Sequence, residues 1–176
     1  MTPGNVFTAG FGNNTIMFLI FSCLLTYGLK TTGVLRKFAV FFINNPISKK
    51  STKAFLGMYL LSMLILGSFI APTTLFILYY GIAEEIYELL NLKIGDKLAR
   101  NMMVGTGFFA SISCAMTPIA HTFPIMALGY YEASTGNAIS YFTYMKYSLP
   151  IGLLLAVITF ILLSFNLKEQ YDFSKV

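Results

Sequence analysis

The sequence predicts an all-α integral membrane protein, and three observations carry that prediction. Of the 176 residues, 56% are hydrophobic and only 11% are charged, against about 45–50% and about 25% in ordinary soluble domains. The mean hydropathy is +0.71, and so little charge cannot solvate a globule of this size, which implies lipid as a second solvent. The apolar residues fall in stretches of helical length, and most basic residues cluster between them as positive-inside signals do. That distribution argues against nucleic-acid binding despite a net charge of +5. Intrinsic disorder needs the opposite composition. No Lys or Arg precedes position 30, so the basic head of a secretory signal is missing and the first apolar run is expected in the mature protein.

Each element follows from the pattern. Residues 7–29 are long enough to span at 1.5 Å per residue. In residues 31–43, Val34, Leu35, Phe38, Phe41 and Phe42 recur at roughly helical spacing over a piece too short to cross. That segment reads as an amphipathic helix in the interface, closed by Asn44-Asn45-Pro46. Residues 54–70 give roughly 25 Å of helix before Ala71-Pro72-Thr73-Thr74 interrupts it. The return run is apolar only over 75–83, roughly 14 Å, before Glu84, Glu85 and Glu88. Spanning would place carboxylates in lipid, so the pair reads as a re-entrant helical hairpin rooted on the side of Lys49, Lys50, Lys53, Lys93, Lys97 and Arg100. Residues 101–131 are uncharged and, at roughly 46 Å, too long for one straight span. Thr117-Pro118 and Phe123-Pro124 break them, while Gly105, Gly107, Ser111 and Ser113 give a small-residue face for a neighbour. The final span is expected over 147–167, with Tyr141, Tyr144 and Tyr147 as an interfacial aromatic belt.

Interrupted helices at membrane depth are tolerated where they line a cavity. In secondary transporters, half-helix N-termini there face anions and unwound carbonyls hold cations. Two such breaks, at 71–74 and 116–124, outweigh the alternative of simple proline kinks. His121 is the single histidine and lacks the companions of a metal site. It reads as a hydrogen-bonded interior group or a substrate contact. Glu84 and Glu88 lie one turn apart and read as a solvated hairpin base. Cys23 and Cys114 read as small buried hydrophobes. No nucleophile elbow, P-loop or H-E-x-x-H occurs, so the chain is not expected to be an enzyme.

Several motifs carry a family resemblance. Phe7-Thr8-Ala9-Gly10-Phe11-Gly12-Asn13 and Gly28-Leu29-Lys30-Thr31-Thr32-Gly33-Val34-Leu35-Arg36-Lys37 resemble the opening of the first repeat in divalent anion/sodium symporters. Gly129-Tyr130-Tyr131 and residues 139–150 resemble the stretch after that repeat's broken helix, and the likeness runs in order over nearly the whole chain. It implies an elevator-type transporter of dicarboxylates, citrate or sulfate, usually Na⁺-coupled and dimeric, with its site between two inverted repeats of which this chain resembles one. Where that family has Ser-Asn-Thr or Ser-Thr-Thr at the hairpin tip, this chain has Pro72-Thr73-Thr74. The asparagine that usually follows the broken helix's proline is absent after Phe123-Pro124.

The expected architecture is therefore one inverted repeat. Residues 1–48 form a scaffold helix plus the interfacial helix, 49–92 the re-entrant hairpin, 93–131 the broken helix, and 132–176 the final span with a cytoplasmic tail. Thr73, Thr74, His121 and Thr122 are the expected substrate contacts; Ser68, Pro72, Thr73, Met116 and Thr117 are the expected cation contacts. No cofactor is expected beyond Na⁺ as coupling ion. The expected function is one half of a cation-coupled importer of a small anion, in the cell (inner) membrane, completed by a second half or another copy. The alternative is a non-transporting assembly scaffold. The charge clusters put the N-terminus outside and the C-terminus in the cytoplasm, with Lys146 the only basic residue outside. Cysteines introduced at Ser51 and Ser134 should therefore label from opposite faces, and labelling of both from one face would refute the hairpin topology.

Overall fold

The computed structural model describes residues 4–5, 11–12, 14–93, 95–165, 167–168 and 170–173. Most of the Phe7–Asn13 motif, the beginning of the expected first span and the side chain of Cys23 lie outside the described residues. Among the described residues, seven delimited α-helices follow one another: α1 (Asn14–Thr31), α2 (Val34–Ile43), α3 (Thr52–Gly67), α4 (Pro72–Leu89), α5 (Lys97–Met116), α6 (Thr122–Thr135) and α7 (Tyr141–Phe165). A 3₁₀ turn, Ser48–Lys50, precedes α3.

Local chemistry sets these boundaries. Gly33, at φ 67°, separates α1 from α2 in a conformation that a side chain would resist. Ser51 Oγ accepts the Ala54 N–H at 3.2 Å and caps α3. Pro72 opens α4, where its missing N–H leaves no helical bond unmade. Ser140 Oγ accepts the Thr143 N–H at 3.1 Å and starts α7. That cap lies several residues before the expected start of the last span, so Tyr141, Tyr144 and Tyr147 belong to the helix itself.

Helix α5 is the centre, packed against α3, α4 and α7. It runs alongside α3 in the same direction: Tyr59 meets Thr106 near one level, and Ser68 meets Thr117 near the other. Helix α4 turns back, pairing Tyr79 with Tyr59 and donating from Tyr87 Oη to the Ala99 carbonyl at 2.9 Å. Helix α7 runs against α5, with Ser148 on the Met116 carbonyl at one end and Asn101 Nδ2 on the Leu163 carbonyl at the other.

A buried clasp fixes the arms α3 and α4. Tyr59 Oη donates to the Tyr79 carbonyl at 3.2 Å, and Ser62 Oγ donates to the Tyr59 carbonyl at 2.7 Å. Tyr79 Oη lies 2.7 Å from Ser62 Oγ. Because Ser62 spends its proton on the carbonyl, Tyr79 must donate there. Each tyrosine thus reaches the other's carbonyl, one directly and one through Ser62, with the rings edge to face at 5.2 Å.

At the root of these arms, the Arg36 guanidinium pairs with both carboxylate oxygens of Glu85 and ties α2 to α4. Helix α2 buries Leu35, Ala39 and Ile43 in the core and exposes Val34, Val40 and Phe41. Beyond α7, Phe173 is buried and stacks on Phe55 at 4.3 Å. Among the described residues, one helix is long and apolar enough to cross a membrane. This is Tyr141–Phe165, whose most apolar stretch has mean hydropathy 2.4 and is only 17% buried.

The small-residue face expected on α5 is divided. Gly105 and Ser113 are buried within the chain, while Gly107 borders open space and Ser111 is exposed. Only part of that stripe is therefore left for a neighbour. At Gly67 a Cβ would stand 2.0 Å from Ser113 Oγ and 2.7 Å from Leu75 Cδ2, so α3 approaches α5 only because that side chain is missing. Gly67→Ala should lower stability in detergent by about 1–3 kcal/mol through overpacking. Gly107→Ala should be neutral or mildly stabilising. Parallel thermal melts of the two variants check the contrast.

Candidate functional site

Both interruptions lie within uncharged sequence, residues 54–83 and 101–131. After Gly67 the chain tightens, with the Ser68 and Phe69 N–H groups donating to the Ile65 and Leu66 carbonyls at 3.3 and 3.0 Å. It resumes as α4 at Pro72. After Met116 the backbone becomes extended at Thr117, φ −130° and ψ 148°, and resumes as α6 at Thr122.

The two interruptions touch. Thr117 Oγ1 donates to the Ser68 carbonyl, and both residues are buried. Ser68 Oγ in turn donates to the Leu64 carbonyl at 3.0 Å. Thus the C-terminal ends of α3 and α5 meet, while α4 and α6 begin from the same two interruptions. Helix C-termini gather carbonyl oxygens and partial negative charge, and N-termini gather N–H groups and partial positive charge. The arrangement offers carbonyls to a cation and N–H groups to an anion without a charged side chain in either interruption.

The expected site residues occupy three settings. Ser68, Thr117 and Met116 are buried together where α3 and α5 end. Pro72, Thr73 and Thr74 form the first turn of α4, with Thr73 exposed and Thr74 half-buried. His121 and Thr122 stand at the start of α6, half-buried and exposed respectively. His121 caps that helix, its Nδ1 accepting the Phe123 N–H at 3.1 Å. With Nδ1 taken as an acceptor, Nε2 is the ring nitrogen left to face outward. Pro124 contributes no N–H, which leaves the first turn of α6 short of donors.

Two participants escaped the sequence reading. Ser148 Oγ and Tyr144 Oη donate to the Met116 and Ala115 carbonyls, each at 2.7 Å. Tyr144 thus places its hydroxyl on the end of α5, a contact that the interfacial-belt reading did not include. The available signal was the spacing of Tyr144, Ser148 and Gly152, one turn apart and small or hydroxylated along one face of the helix. Among the described residues no cluster of three or more His, Cys, Asp or Glu side chains could hold a metal. Cys114 is buried with a free thiol.

Interrupted helices recur at the ligand sites of membrane transporters, and a membrane transport protein is the class to which the comparison with known proteins points. The particular family comes from comparison with known proteins: the model described as citrate transporter (CitMHS) matches residues 1–173. The chain belongs to the citrate transporter family. No curated protein and no solved structure matches it.

The Thr117–Ser68 contact should be measurable. Thr117→Val removes the donor while keeping the shape, and should cost about 1–3 kcal/mol of stability. Thr117→Ser should restore most of it, and chemical-denaturation midpoints of both variants in detergent provide the check.

Proposed function

We propose that this chain is one repeat of a secondary active transporter that moves citrate or a related carboxylate anion together with a cation. The observation that carries the reading is the direct contact between the two helix interruptions in a member of the citrate transporter family. In this reading α3 and α4 are the arms of a re-entrant hairpin, and α5 with α6 is a broken helix. The anion lies against the first turns of α4 and α6, with Thr73 and Thr74 hydroxyls, the Thr122 hydroxyl and His121 Nε2 as donors. The cation lies on the opposite side, among carbonyl and hydroxyl oxygens of Ser68, Pro72, Thr73, Met116 and Thr117, with Na⁺ the candidate. The Met116 carbonyl already accepts from Ser148, so only its second lone pair faces a cation.

A single repeat supplies one wall of such a site. A second half or a second copy completes it, and the loaded repeat moves as an elevator against α1 and α2. The charge pattern that orients the chain in the cell membrane also supports a distinct second half over an inverted copy. The likeness to divalent anion/sodium symporters supports the same mechanism class.

The test is uptake of labelled citrate into liposomes holding the purified chain and whatever co-purifies with it, with and without an inward Na⁺ gradient. Uptake should rise with the gradient and fall when unlabelled citrate competes. Thr73→Val and Thr74→Val should each weaken citrate binding by roughly five- to hundredfold, the range for a lost hydrogen bond in a buried site, without loss of expression. If the assembled protein neither binds nor moves citrate or any small dicarboxylate, the scaffold reading replaces this one.

A further inference from the structure

The end of α5 is held from the side by α7. An α-helix that stops leaves its last four carbonyls without helical partners, and α5 stops because Thr117 is extended. Two of those carbonyls, on Ala115 and Met116, accept from Tyr144 Oη and Ser148 Oγ. One turn further along α7 stands Gly152, where a Cβ would come within 2.3 Å of Met116 Cγ. Tyr144, Ser148 and Gly152 therefore form a continuous stripe, two hydroxyls and a gap, against which the α5 terminus rests. Phe108, Ile112, Ile151 and Leu155 line a cavity of about 340 Å³ beside it. Ser111 also lines it, but its hydroxyl donates to the Gly107 carbonyl at 3.0 Å, and the other four side chains carry no donor.

We infer that Tyr144 and Ser148 are positioning residues for the ligand site: they hold the α5 terminus in its interrupted form and so set where Thr117 and His121 stand. The inference rests on the transport reading for its functional half. Its structural half stands independently. With the hydroxyls in place, the Ala115 and Met116 carbonyls are partnered without a bound cation, so the interruption persists in the empty protein. Without them, the terminus gains from winding onward or shifting, and Thr117 leaves the Ser68 carbonyl.

The experiment compares Ser148→Ala, Tyr144→Phe and Ser148→Thr in the full chain, by amide hydrogen exchange and by citrate titration. Both hydroxyl-deleting variants should accelerate exchange in peptides covering residues 112–122 by about fivefold or more, the scale of one lost hydrogen bond, with the α3 arm unchanged. Citrate affinity should fall by a similar factor, and Ser148→Thr should restore both. Unchanged exchange at 112–122 would overturn the inference whatever the protein transports. Faster exchange with wild-type citrate affinity would also overturn it, by reducing the hydroxyls to a structural role. If the wild type binds no citrate, the transport reading fails instead. Faster local exchange reversed by Ser148→Thr then supports the structural half alone.

Discussion

A backbone carbonyl that loses its helical partner in an apolar medium must find another donor, and the centre of this structure is organised by that requirement. Two helices, α3 and α5, stop inside uncharged sequence. The Ser68 carbonyl takes its donor from Thr117, while the Ala115 and Met116 carbonyls take theirs from α7. A buried unsatisfied group of this kind costs several kcal/mol in lipid. The close approach of α3, α5 and α7 is thus a condition for having the interruptions at all. Gly67 and Gly152 serve the same condition by leaving out the side chains that would keep the helices apart.

The requirement also explains the tyrosine clasp. An interrupted helix pair is weaker at its tip than a continuous helix, so its alignment must be set further down. Tyr59, Ser62 and Tyr79 set it about two turns below the interruption, and Thr106 extends the same network to α5. Arg36 and Glu85 repeat the tie at the root, where both side chains are exposed and the pair is screened. Buried hydroxyls fix register near the tip, and a solvated ion pair links the root to α2.

Much of this was legible in the sequence because the relevant signals are local. Prolines at 72, 118 and 124 mark the interruptions, carboxylates at 84, 85 and 88 end the apolar return run, and the basic clusters separate the helices. What stayed hidden depends on partners far apart in the chain. Thr117 and Ser68 were both flagged as site residues, yet no local pattern says that one donates to the other. Tyr144 was assigned to an interfacial belt because its spacing with Tyr141 and Tyr147 fits one, whereas its hydroxyl lies on a carbonyl of α5. Gly105 and Ser113 looked like a face awaiting a neighbour, although α3 and α7 already occupy it. The transporter class was readable from motifs; the citrate transporter family came from the match across residues 1–173. The missing asparagines already separated this chain from the symporter pattern it resembles.

The stacking of Phe173 on Phe55 bears on how the molecule is made. Phe55 belongs to the first turn of α3 and is fully buried, but the ring that covers it is synthesised only after α4 to α7. Between those moments the root of α3 presents an uncovered aromatic face beside Tyr59 and Leu56. Phe173 can reach Phe55 only once α7 has been made, so the contact that closes the root of α3 falls to the segment beyond α7.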